Sequence, residues 1–394
     1  MESATNSTVE QEQGEEQQYQ QWVREAVQEL QVAVIQYQNG LSAALKRLRK
    51  ARISPFEARE EEEDDDDEQE GEEELLKRIP FPLIRNRLKA YLTVLEFDPS
   101  PELCDKVEAI LMYERRKRGV ASEVEALSLP RLNEAEVDPV ASRVALWRGD
   151  ITILRIGAIV NAANKYMLGC FTPNHACIDN IIHAKAGPRL REECRQFMAA
   201  QEWEDEPTGY AKITKGYCLP CAHVLHTVGP IVLDKRKGPA EGQEEELASC
   251  YTSCLDLAKQ HNVRSVAFCC ISTGVFGYPQ EDAAIVAINT VKRWLETGDN
   301  KEHMDLVLFD TYLASDHVLY QLLLPRYFNV SESWLSANTP VVPELKQHRR
   351  PATKEEEDTK AEEDDAKQEK KEEVKEEAEE TRNEEDTELK TNKD

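Results

Sequence analysis

Three features of the sequence frame its reading, the first two of which predict a layered α/β fold. Between residues 144 and 323, short apolar runs rich in Val, Ile and Leu alternate with longer stretches whose apolar residues recur at steps of three and four, the order in which a sheet and its covering helices are laid down. One run, 266–271, is apolar without alternation, as a central strand covered on both faces must be. Charge is the third feature. Of the formal net charge of -27, residues 57–74 hold -13 and residues 354–394 hold -11, leaving about -3 for the foldable remainder. A nearly neutral core is no broad polyanion-binding face, so nucleic acid is not an expected partner. The acidic runs self-repel; they read first as solvated linker and tail, and second as docking segments for basic proteins.

In chain order, residues 1–17 are polar and expected to be disordered, and residues 18–52 form an amphipathic helix through Tyr19, Trp22, Ala26, Leu30, Ala33, Tyr37, Leu41, Leu45 and Leu48. Residues 53–78 are an acidic linker. A helical extension, 79–135, holds one helix through Ile84, Leu88, Tyr91, Leu92 and Leu95, and another opening at Ser100-Pro101-Glu102. There serine supplies a capping oxygen, proline fits the first turn and glutamate favours the positive end. Leu103, Val107, Ile110 and Leu111 continue its apolar face, and the extension is expected to pack on the core. The basic runs 45–50 and 115–118 read as solvated helix faces before they read as a nuclear signal or an RNA contact. Core strands are expected at 144–147, 151–154, 158–160, 224–228, 265–271 and 306–309, with helices at 178–186, 244–260, 281–295 and 317–323. The core ends near residue 332, and 333–394 is a disordered Glu/Lys-rich tail.

The amino terminus lacks the basic and then apolar regions of a leader, and no run approaches the roughly 18 apolar residues of a membrane span. A cytoplasmic or nuclear protein without membrane contact is expected. In that reducing setting its ten cysteines mean metal more often than disulfides. Cys269 and Cys270 read as buried strand residues.

The chemistry gathers in residues 161–183. Cys170, His175 and Cys177 form C-x4-H-x-C, a donor set that Zn2+ selects. Three local ligands favour an open site, although Cys218-x2-Cys221 could close a four-ligand structural one, and free cysteines in a helix-entry loop are the plain alternative. Asp179 falls in the first turn of the following helix, where the dipole stabilises it beside whatever the loop binds. The Asn164 amide both donates and accepts, as a reader of sugar hydroxyls needs, or simply forms a turn. His226 reads as a satisfied core histidine, and His183 is placed to hydrogen-bond to Asp179. Residues 272–277 put two glycines and two hydroxyls between a strand and a helix, where successive N–H groups can cradle anionic oxygens. No Lys lies in this loop and no G-x-x-x-x-G-K-[ST] is present, which disfavours a nucleotide triphosphatase.

G-D-I-T at 149–152, A-I-V-N-A-A-N at 158–164, the G-C-F-x-P-x-H-x-C-I-D-N-x-I-H run, G-Y-A-K-I-T at 209–214, H-T-V-G-P at 226–230 and I-S-T-G-V-F-G-Y-P at 271–279 together resemble the zinc-containing branch of the macrodomains. The resemblance covers roughly 141–328 and implies a three-layer α/β/α macrodomain with a mixed central sheet, spanning 136–332, whose cleft binds ADP-ribose. Carried over by residue, Asp150 accepts from the adenine amino group, with Ile151 also among the binding positions. Ser272, Thr273, Gly274, Val275, Phe276 and Tyr278 wrap the diphosphate, and Tyr312, rather than Phe309, packs on the adenine. Asn164 holds the distal ribose beside a zinc on Cys170, His175 and Cys177, with Asp179 and Asn164 catalytic. One departure is Gly157, where many macrodomains carry Asp in V-D-A-I-V; this bears on local rigidity rather than catalysis. The implied function is a zinc-dependent hydrolase that removes carboxylate-linked ADP-ribose from mono-ADP-ribosylated proteins. A non-catalytic ADP-ribose reader and an O-acetyl-ADP-ribose deacetylase are the alternatives, and an α/β scaffold with a structural zinc is the plainest.

Overall fold

Six strands form one sheet: β1 (Val144–Trp147), β2 (Ala158–Ala163), β3 (Ala211–Lys215), β4 (His223–Val228), β5 (Ser265–Phe268) and β6 (Leu306–Asp310), in the order β1-β6-β5-β2-β4-β3. All neighbours are parallel except β3, which runs antiparallel along the β4 edge, so the sheet is mixed. The structure, a computed structural model, describes residues 12–31, 80–93, 99–120, 140–172, 175–234 and 236–328. Its helices are α1 (12–31), α2 (Phe81–Thr93), α3 (Pro101–Arg118), α4 (Ile178–Ala186), α5 (Pro188–Ala200), α6 (Gln243–Gln260), α7 (Gln280–Glu296), the single turn α8 (Asn300–His303) and α9 (Ala314–Tyr327). Among the described residues no helix is long and apolar enough to cross a membrane.

Alternate strand residues divide between two cores. Val144, Leu146, Val160, Leu225, Val266, Phe268, Val307 and Phe309 face α6, α7 and α9, whereas Ala145, Trp147, Ile159, Val224, Ala267, Leu306 and Leu308 face α4 and the start of α5. Both faces are covered, which is why the strands read as continuous apolar runs and not as alternating ones. The outcome is the expected three-layer α/β/α architecture.

Several local expectations are corrected. Residues 151–154 are not a strand: Ile151–Ile153 form a 3-10 turn, because Asp150 Oδ1 accepts from Thr152 N–H (2.9 Å) and Thr152 Oγ1 (2.6 Å) and so curls the chain, leaving one bridge residue at Leu154. The 265–271 strand stops at Phe268, its last residue paired with β6, and Cys269 and Cys270 lie beyond it, only partly buried by surface. Helix α5 is absent from the expected helices because Gly187-Pro188 has the form of a helix stop; Pro188 is instead the first residue of a new helix. Strand β3 is short, half-exposed and flanked by Lys, as a sheet edge tends to be. Helix α1 begins by residue 12, inside the segment expected to be disordered, where Glu16 accepts a hydrogen bond from the Tyr113 hydroxyl at 2.8 Å. Residues 32–79 and 329–394 lie outside the described residues, and with them the rest of the 18–52 helix, the acidic linker and the tail.

The extension packs on the core as expected. Ser100 Oγ accepts from Leu103 N–H at 3.1 Å and Pro101 opens α3. Tyr19, Val23, Leu30, Ile84, Leu88, Leu103, Val107 and Leu111 form a shared apolar cluster that reaches Cys218 of the core. Within it, Glu114 accepts from the Tyr19 hydroxyl (2.7 Å) and from Arg85 Nη2 (2.7 Å), locking three helices together. Burial pushes the Glu114 carboxyl up, but the Arg85 guanidinium and the Tyr19 hydroxyl more than offset this, and the net shift is downward. A carboxylate held low contributes stability that is full above its unfolded value and is lost as pH falls through its folded value. Glu114→Ala, which leaves Arg85 without its partner, is expected to cost about 3 kcal/mol in urea unfolding. The gap between wild type and variant should close as pH drops from about 5 toward 3; a pH-independent gap would contradict the charge assignment.

Candidate functional site

Five parallel strands end on one edge of the sheet, which is where ligands bind in open α/β folds. Along that edge, Asp150 follows β1, Tyr312 follows β6, the 269–278 loop follows β5, Asn164 follows β2 and Gly229 follows β4. The sheet therefore sets every sequence-predicted residue in a spatial order different from its order in the chain. From β1 to β2 is three strand spacings, about 14 Å.

At the β1 end, Asp150 keeps one carboxylate oxygen on Thr152, and the other lies 3.8 Å from Arg118 Nη1. Ile151 is buried in the core, so only its backbone is offered to a ligand. Tyr312 is exposed, whereas Phe309 is buried against Tyr320 at a centroid distance of 5.1 Å, which leaves Tyr312 as the aromatic available to a ligand. Asp310, which sequence reasoning missed, is buried between them with Oδ1 unpartnered; burial and the neighbouring Asp150 charge push its carboxyl well above the usual range.

The loop after β5 is wound on itself. Gly277 N–H donates to Gly274 O (3.2 Å), Tyr278 N–H to Ser272 O (3.0 Å) and Thr273 Oγ1 to Cys270 O (3.1 Å). Ser272 sits at φ 65°. Gly274 has open space around it and Val275 is exposed, while the Tyr278 side chain is buried in the core and contributes to the loop through its backbone. Gly229 backs this loop so closely that a Cβ there would lie 2.0 Å from Ser272 Oγ. A backbone turn with open space at Gly274 suits an anion held by N–H dipoles.

Beyond Asn164 the loop brings the predicted triplet together. The ligand atoms of Cys170, His175 and Cys177 lie within 4.8 Å of one another, with Cys170 Sγ 3.4 Å from His175 Nδ1. Tetrahedral zinc, with bonds of about 2.3 Å to sulfur and 2.0 Å to nitrogen, calls for edges of about 3.5 Å, so the donors fit it. Cys218 and Cys221 are buried in separate apolar clusters and do not join this group. Cys177 also shapes the fold, since its sulfur accepts from Asn180 N–H at 3.4 Å and caps α4.

That cap aims Asp179 inward. Asn161 Nδ2 donates to Asp179 Oδ1 at 2.8 Å, Asn164 Nδ2 approaches Oδ2 at 3.4 Å, and His183 Nε2 lies 3.5 Å from Oδ1. Burial pushes the Asp179 carboxyl up to about 6, against the opposing Asn161 amide and Arg191 charge. Burial, then Arg191 and His226, hold His183 well below its usual value, so it is neutral. His226 is the satisfied core histidine expected: Nδ1 lies 3.1 Å from Asn161 Nδ2 and Nε2 lies 3.0 Å from Thr214 Oγ1. Asn164 also donates to Gly169 O at 3.0 Å and accepts from Tyr166 N–H, which fixes its amide. Gly169 (φ 89°) crosses directly over His183, where a Cβ would meet the ring at 2.9 Å. Gly169→Ala is expected to displace Asn164 and weaken ligand binding about tenfold or more; calorimetry showing unchanged affinity would contradict this.

Sequence reasoning missed Asn161 and Arg191. Arg191 donates to Leu168 O (2.8 Å) and Leu92 O (2.9 Å), joining the loop after β2 to α2. Its signal lay hidden in the unread helix α5; that of Asn161 was a polar residue in an otherwise apolar strand.

Residues 160–287 match the Macro domain family. The ADP-ribose glycohydrolase MACROD1 of Rattus norvegicus is 43% identical over 229 residues, which span 57% of this chain and 80% of the relative. A probable bifunctional ADP-ribose hydrolase/ADP-ribosyltransferase of Fusarium oxysporum f. sp. cubense is 44% identical over 229 residues, covering 57% of this chain but 38% of that protein's length. Among solved structures, the Trypanosoma brucei macrodomain in complex with ADP-ribose is 31% identical, at a TM-score of 0.46, over 59% of this chain and 93% of that one.

Proposed function

Because the chain belongs to the Macro domain family, we propose that it binds ADP-ribose along the sheet edge and hydrolyses it from mono-ADP-ribosylated proteins, with zinc in the metal loop and a carboxylate as leaving group. The observation that carries the reading is the order of groups along that edge. A carboxylate and an exposed aromatic come first, then a backbone cradle without a cation, then amides, a metal-ligand triplet and a buried carboxylate. Adenine, diphosphate and distal ribose follow one another in the same order.

In this reading Asp150 accepts from the adenine amino group while Tyr312 packs on the ring, and the 272–278 backbone holds the diphosphate. Asn164, its amide fixed by Gly169 and Tyr166, orients the distal ribose. Cys170, His175 and Cys177 would hold the zinc, which when bound supplies Lewis-acid polarisation and a template for the ribose hydroxyls. Asp179 takes a proton from a water whose oxygen forms the new bond to the anomeric carbon. The bond to the protein carboxylate breaks with its electron pair, giving free ADP-ribose and an unmodified side chain.

The test is release of free ADP-ribose from a mono-ADP-ribosylated protein by the full chain, with and without a zinc chelator. Release that stops on chelation while the chain stays folded supports the reading. ADP-ribose binding without release would make the chain a reader, and faster turnover of O-acetyl-ADP-ribose would make it a deacetylase.

A further inference from the structure

The basic run Arg115-Arg116-Lys117-Arg118 is a sequence signal the proposed function leaves unused, and the structure sets its end against the cleft. Arg118 Nη1 lies 3.8 Å from Asp150 Oδ2. Arg115 is committed to the carbonyl oxygens of Cys218 and Leu219. Arg116 and Lys117, by contrast, are exposed over the Tyr113 ring at 5.7 and 5.6 Å. Lys185 joins them from α4, in the electrostatic reach of both Arg118 and Asp150. Burial and the Arg118 charge bring its ammonium down to about 8, so it stays cationic at neutral pH. Of the nearby acids, Glu114 is taken by Arg85 and Tyr19, and Glu16, bound to the Tyr113 hydroxyl, lies in the electrostatic reach of Lys117; Asp150 is the acid beside Arg118. The end of α3 is thus a local cationic surface on a chain of formal charge -27, at the end of the cleft opposite the metal loop.

We propose that the C-terminal end of α3, with Lys185, forms an anion subsite that receives phosphate carried on the adenosine part of the bound nucleotide. The chemistry is shared by a phosphate monoester on the adenosine ribose and by the diphosphate of a further ADP-ribose unit joined there. Guanidinium groups bind phosphate oxygens in pairs, and Arg118 is already held at the rim by Asp150. The inference rests on the reading of Asp150 as the adenine acceptor.

Calorimetry on the full chain tests it with three ligands: ADP-ribose, ADP-ribose bearing a 2′-phosphate on its adenosine, and two ADP-ribose units linked through the adenosine ribose. At low salt the phosphate-bearing ligand is expected to bind about tenfold tighter than ADP-ribose, an advantage that shrinks as salt is raised. In an Arg118→Gln/Lys185→Gln variant the affinity ratio should fall to near one. An advantage confined to the monoester, or shared by the linked dimer, would say which source the subsite takes. Equal affinity for all three in the wild type, or a ratio unmoved in the variant, would overturn the proposal and leave the surface to the chain's own acidic run or to solvent. Failure of every nucleotide to bind would overturn the proposed function and this inference with it.

Discussion

Asp179→Asn is expected to lower ADP-ribose release by about 10²- to 10⁴-fold while leaving ADP-ribose affinity within a few-fold of wild type. The substitution keeps shape and an acceptor for the Asn161 amide at 2.8 Å; it removes the capacity to take a proton and the longer acceptor contact to Asn164 Nδ2 at 3.4 Å. The carboxylate is buried, and burial pushes its neighbours His183 and His226 well below the usual imidazole range, so each is too weak a base to replace it. Single-turnover release measured beside calorimetric affinity separates the two effects. A release rate within about threefold of wild type would remove Asp179 from the chemistry.

Cys177→Ser tests the metal loop with little confounding by the fold. The Cys177 sulfur caps α4 through Asn180 N–H, and a serine hydroxyl is a better cap than a thiol. Helix α4, and with it Asp179, should stay in place. Under the proposed function zinc would lose a thiolate it favours, so bound zinc is expected to fall from about one per chain toward none, and release to fall by about 10²-fold or more. The melting temperature in excess chelator should match that of chelated wild type. Full zinc occupancy in the variant, or release unaffected by loss of zinc, would rule the triplet out as a catalytic metal site.

Much of this was legible in the sequence because the signals were local. Ile178–Ala186 and Val144–Trp147 were readable to the residue, since each is bounded by its own punctuation and built of contiguous apolar positions. The triplet was legible because its three ligands sit within eight residues. What failed was whatever depended on one side chain redirecting the backbone, as Asp150 does to residues 151–153, or on a proline's ambiguous sign, as at Pro188. Asn161 and Arg191 were invisible for another reason. Their partners lie 18 and 99 residues away, and no periodicity encodes such pairings. The order of groups along the sheet edge was likewise hidden, because β6 inserts between β1 and β5 only on folding.

That inserted order turns the sheet into a ruler. Adjacent strands are about 4.8 Å apart, and the cradle after β5 and the carboxylate after β2 lie on neighbouring strands. Under the proposed function, AMP or ADP would span Asp150 to the cradle and stop one strand short of the metal loop. Such fragments would compete with substrate without reaching the reacting end, so cellular adenine nucleotides become natural competitive inhibitors, graded by their length.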